Sequence, residues 1–154
     1  MLYSEVRGQI RTGDLIFFHG RGAVTDVIRI ATRSDFAHVA LAWVVAGRVL
    51  VIEAREKGGV QIHALSSRLG DGASWLKVPP AYPLDLPRAI LDLDKPYSLL
   101  NCIRAFFGLP GIKNRFECAQ LAAAALHLPG NGGWTPQQVR EQFAEVLTVS
   151  LEEA

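Results

Sequence analysis

Two apolar runs, "FAHVALAWVV" and "RVLVIEA", meet at the dipeptide Ala46-Gly47. Both are rich in valine and other residues that favour pleated backbone, and a glycine stands at the junction. This pattern predicts a β-hairpin with a two-residue turn, which is the strongest constraint on the fold. In that register Val45 faces Arg48, His38 faces Arg55 and Ala40 faces Glu53. Side chains alternate between faces, so His38 and Glu53 share a face as diagonal neighbours, roughly 7–8 Å apart at the backbone and within reach of long side chains. Glu56 falls on the other face. A three-residue turn would reverse this choice.

Other elements gather around the hairpin. "DLIFFH" (14–19) reads as a short buried strand after a turn at Gly13, and "GVQIHAL" (59–65) as a further strand after "EKGG". Val24, Val27, Ile28 and Ala31 have helical spacing. The proline-containing stretch 66–87 reads as a long connection with one short strand near 75–78. Beyond it the pattern turns helical. Leu99, Cys102, Ile103 and Phe106 fall on one face of a helix stopped by Gly108 and Pro110, and a second helix runs over 116–128, with Asn114 as cap and Glu117 completing a capping box. "TPQQ" marks a third start, with Thr135 as cap and Pro136 in the first turn. Strands come first and helices last, an α+β order with a central antiparallel sheet packed against helices. The 154 residues suit one domain, 1–154.

Composition narrows the functional classes. Sixteen Lys and Arg against 15 Asp and Glu leave a formal net charge of +1, with no basic stripe for nucleic acid. The longest apolar runs, "AHVALAWVVAG" and "AQLAAAALHL", are too short to span a bilayer. The start of the chain lacks the layout of a secretory signal, so a cytoplasmic location is the default expectation. Two cysteines make no disulfide scaffold.

The two cysteines differ in setting. Cys102 shares a face with Leu99, Ile103 and Phe106 in mid-helix and reads as core. Cys118 lies in the first turn of its helix, where unpaired N–H groups and the macrodipole favour an anion, and helix N-termini lower the pKa of a thiol. Packing of a small apolar residue at the edge of a core explains the position as well, and for a lone cysteine it is the commoner reading. A thiolate nucleophile needs a base, and the base an orienting group. Among the four histidines, His127 reads as a helix C-cap, His19 closes a strand and His63 alternates toward solvent. His38 lies inside the most apolar strand, where an imidazole must find a partner or a cleft. Glu53 is the carboxylate of matching parity. A structural His38–Glu53 pair, or neutralisation of Arg55 by Glu53, stands beside the catalytic reading.

The segments "GDLIFFHG", "SDFAHVAL", "VIEAREKGGVQIHAL", "KPYSLLN" and "FECAQLAAAAL", in that order, resemble the permuted papain-like amidases, the YiiX/YaeF-like, circularly permuted branch of the NlpC superfamily. The likeness runs from about Gly13 to Leu126. It implies a circularly permuted papain-like fold with Cys118 as nucleophile, His38 as base and Glu53 as its orienter. It also implies a substrate-binding or oxyanion role for Tyr97 and links Asp14 to the family's opening "GD". Ala37, Ala40, Ser98 and Ala119-Gln120 depart from the family's usual residues, without removing a proposed catalytic group. The implied activity is hydrolysis of an amide in a cell-wall-type peptide or small acylated amine through a thioester, with no metal or organic cofactor required. Acyl transfer to an amine or lipid, a non-catalytic binding module on the same fold, and a zinc site formed by Cys118, His38 and Glu53 are the competing readings.

Overall fold

The computed structural model describes residues 1–20, 34–98, 117–130 and 133–153, together with Arg29, Leu100, Asn101, Arg104 and Phe107. The helices expected around Val24–Ala31 and Leu99–Phe106, and with them Cys102 and the Asn114 cap, lie mostly outside the described residues.

The hairpin forms as the sequence predicts. Strands β2 (His38–Val45) and β3 (Arg48–Arg55) pair antiparallel with Val45 opposite Arg48 and Leu41 opposite Ile52. Ala46 and Gly47 both take positive φ, 49° and 71°, the backbone of a two-residue turn that matches strand twist. Around it, β1 (Leu15–Phe18), β4 (Gly59–Ala64), β5 (Ala73–Leu76) and β6 (Thr148–Leu151) complete a six-stranded antiparallel sheet of order β4-β3-β2-β1-β5-β6.

Four elements differ from the sequence reading. The strand expected near 75–78 is β5, two residues earlier, and β6 was not foreseen. A helix, Leu86–Leu91, begins inside the stretch read as connection, capped by the Asp85 side chain on the Arg88 N–H at 3.0 Å. A single turn, Tyr3–Val6, also forms near the start of the chain. These pieces are four to six residues long, too short for a periodic signal, and the sheet edge and core against which they pack decide them.

In chain order the helices are α1 (Tyr3–Val6), α2 (Leu86–Leu91), α3 (Cys118–Ala125) and α4 (Pro136–Glu141). Each sheet face carries its own core. Leu15, Phe17, Val39, Leu41, Ile52 and Ala54 pack against α3, which α2 and α4 flank. Alanine dominates α3, and its small side chains let the helix lie close on the sheet while its other sides are also covered. Ile16, Phe18, Ala40, Ala42, Val49 and Val51 face the other way, under Val6, Ile10, Leu65 and Leu69. Two 3-10 turns, Leu65–Ser67 and Leu69–Asp71, carry the chain across this second face.

The outer edge of β4 is covered. Val60 N–H donates to Lys95 O at 3.0 Å and Asp94 N–H to Val60 O at 3.0 Å, so part of an otherwise unpaired strand edge is satisfied. The same contacts bring Tyr97 to the end of the sheet where β2 begins.

Candidate functional site

His38 opens β2, opposite Phe18 of β1, and its ring lies 5.7 Å from that of Phe18. Its Nε2 lies 2.7 Å from Glu53 Oε2. Register parity therefore brings the imidazole and carboxylate together. Glu53 is fully buried. Burial pushes its pKa up, but the hydrogen bond and charge of His38, and then those of Arg68, outweigh it and hold the carboxyl at about 2. The ionised carboxylate can only accept, so His38 Nε2 carries the proton and donates. Nδ1 is then the nitrogen left for proton transfer, and among the described residues it makes no hydrogen bond.

Arg68 escaped the sequence reading. Its Nε donates to Glu53 Oε1 at 2.9 Å and its Nη2 to Oε2 at 3.2 Å; Nη1 pairs with Asp71, and Cζ lies 4.9 Å above the Phe18 ring. Periodicity could not find it, because it stands on a turn. The usable signal was the need of a buried carboxylate for a cation. His63, expected to face solvent, is half-buried: its Nε2 lies 3.2 Å from Gln61 Oε1 and 3.9 Å from Glu53 Oε1.

Cys118 is the first residue of α3, and Glu117 is its cap. The Glu117 carboxylate accepts from Gln120 N–H at 2.6 Å and Ala119 N–H at 3.0 Å, and the Cys118 thiol donates to its Oε2 at 3.7 Å. Burial raises the Glu117 pKa to about 7 against the lowering effect of those bonds. Two of the N–H groups at the helix start are thus engaged by the protein's own carboxylate.

The same end of the sheet holds all three expected groups, but on opposite faces. Asn101 Nδ2 donates to Gln120 Oε1 in the first turn of α3 at 3.1 Å, while the last turn of α3 reaches the far end, where Ala125 O accepts from Asp85 N–H at 2.8 Å. Cys118 belongs to the core between α3 and the sheet, whereas His38 and Glu53 share the other face with Phe18 and Ala40. Among the described residues no hydrogen bond joins the Cys118 sulfur to His38. Parity pairs His38 with Glu53 and places both on the sheet face away from α3. Among the described residues no group of three His, Cys, Asp or Glu side chains could hold a metal ion.

Tyr97 lies on the Cys118 side, half-buried against that core. Asp14 does not join the site. It stands at the far end of β1, buried, with its oxygens accepting from Arg11 N–H at 2.8 Å, Trp75 Nε1–H at 2.9 Å and Val78 N–H at 3.1 Å. Its role there is to tie two loops to the sheet. His127 occupies the left-handed position after α3, with φ 49°, as a C-terminal residue would.

No protein-family model matches the chain, and no curated protein matches it. Among solved structures it is similar to the one described as metalloprotein yiiX from Escherichia coli O157:H7, DUF1105, with a TM-score of 0.58, 18% identity, and coverage of 95% of this chain and 99% of that one. The chain has a YiiX-like α+β fold. Among the described residues no helix is long and apolar enough to cross a membrane.

Proposed function

We propose that this chain is a cysteine-dependent amidase or peptidase, with Cys118 as nucleophile, His38 as general base and Glu53 as its orienter. The supporting observation is the 2.7 Å bond from His38 Nε2 to buried Glu53, which leaves Nδ1 as the basic nitrogen at the end of the sheet where α3 begins. The YiiX-like fold and the placement of Cys118 at the head of α3 agree with this reading. In the reaction Nδ1 takes the thiol proton and sulfur attacks the carbonyl carbon. The imidazolium then protonates the leaving amine, and water resolves the thioester. The Cys118 N–H is the oxyanion donor the reading needs, because Glu117 occupies those of Ala119 and Gln120. A cell-wall-type peptide or a small acylated amine is the proposed substrate. The reaction requires the Cys118 sulfur and the His38 ring to meet at the start of β2.

One observation favours a second reading. Arg68 and His38 already satisfy both oxygens of Glu53, so the cluster suffices as a structural ion network in a non-catalytic binding module.

Alkylation kinetics separate the two. Iodoacetamide should modify Cys118 at neutral pH faster than a model thiol, and His38→Gln should slow it. Cys118→Ala should abolish turnover while leaving the fold intact. A Cys118 no more reactive than a model thiol, and indifferent to His38→Gln, overturns the amidase reading and favours the binding module.

A further inference from the structure

At the end of the sheet opposite His38, a cleft of about 180 Å³ opens between the loop entering β1 and the loop leaving β5. The cleft is open to solvent on one side and has room for a small organic ligand. The lips are preformed. Asp14 binds Arg11 N–H on one side and Val78 N–H on the other, so a single buried carboxylate holds both loops. Pro79, Pro80 and Pro83 restrict the second loop, and the Tyr82 ring is fixed 4.7 Å from that of Phe143. A ligand would therefore meet walls already in place, with little ordering cost.

The lining is amphipathic. Val78, Tyr82, Leu84 and Leu126 supply apolar surface, and Arg11 and Lys77 supply two exposed cations. Among the described residues neither cation has an ion-pair partner. The carboxylate in the wall, Asp14, is only 3% exposed and its oxygens are taken by N–H donors, so it neutralises neither cation by contact.

We propose that this cleft binds a small organic carboxylate carrying a short apolar chain, the anion between Arg11 and Lys77 and the chain against Leu84 and Leu126. The site lies at the other end of the sheet from the His38–Glu53 pair and does not depend on hydrolase activity.

Titration of the full chain with hexanoate, followed by the amide resonances of Thr12, Gly13 and Val78, tests the site. Saturable shifts should appear, weaken as ionic strength rises, and be absent with hexylamine, which has the same chain and the opposite charge. The Arg11→Ala, Lys77→Ala double variant, altered only at exposed side chains, should weaken binding about tenfold, as loss of two exposed charge contacts implies. No saturable shift, equal shifts with hexylamine, or hexanoate binding unchanged in the double variant each overturns the proposal.

Discussion

Arg68 grips Glu53 with two bonds, Nε to Oε1 at 2.9 Å and Nη2 to Oε2 at 3.2 Å, on the sheet face turned away from α3. Arg68 is 12% exposed and Glu53 wholly buried, so the pair is a desolvated one. Breaking such a pair from one side leaves a buried charge uncompensated. Arg68→Ala should cost about 3–5 kcal/mol, read from the urea midpoint at unchanged m. The double variant Arg68→Met, Glu53→Gln should recover most of that loss, because neither substituted side chain is charged.

The opposite pKa shifts of two buried carboxyls predict a stability optimum in mild acid. Glu53 falls from an ordinary 4.5 to about 2 on folding, so its contribution is complete above pH 4.5 and is lost as pH falls toward 2. Glu117 moves the other way, to about 7, so the native state holds a proton the unfolded chain has released, and stability declines as pH rises from 4.5 through 7. Each effect is worth about 3 kcal/mol over its window. Thermal melts from pH 2 to 8 should peak near pH 4.5, and Glu117→Gln should flatten the neutral side only.

Gly59 stands where β4 meets the 94–97 segment, with φ 68°, and a Cβ there would overlap the carbonyl oxygen of Lys95. Gly59→Ala should destabilise by about 2 kcal/mol or more, through both strain and the clash. Amide exchange at Val60 and Asp94, whose hydrogen bonds join the two segments, should accelerate more than exchange in β1.

The capping box of α4 is complete, Thr135 Oγ1 accepting from Gln138 N–H at 3.2 Å and Gln138 Oε1 from Thr135 N–H at 2.9 Å. Thr135→Ala should cost about 1 kcal/mol, and Thr135→Ser should retain most of it, as chemical denaturation would show.

Local patterns carried a good deal of this protein. The Ala46-Gly47 turn specified the β2–β3 register, and register parity alone paired His38 with Glu53. The Thr135 cap and Pro136 placed α4, and an alanine-rich run placed α3 to within two or three residues. These features depend on near neighbours in the chain, where backbone geometry and alternation leave few choices. Other features had no local cause. The short elements α1, α2 and β6 exist because a sheet edge or core receives them. Arg68 reaches Glu53 because two turns cross the second face, and Asp14 became a clamp between loops. Above all, the hairpin has two faces, and its sequence does not say which one α3 will cover. The tertiary packing put α3 on the Val39 and Leu41 side, so Cys118 and His38 share an end of the sheet but not a face.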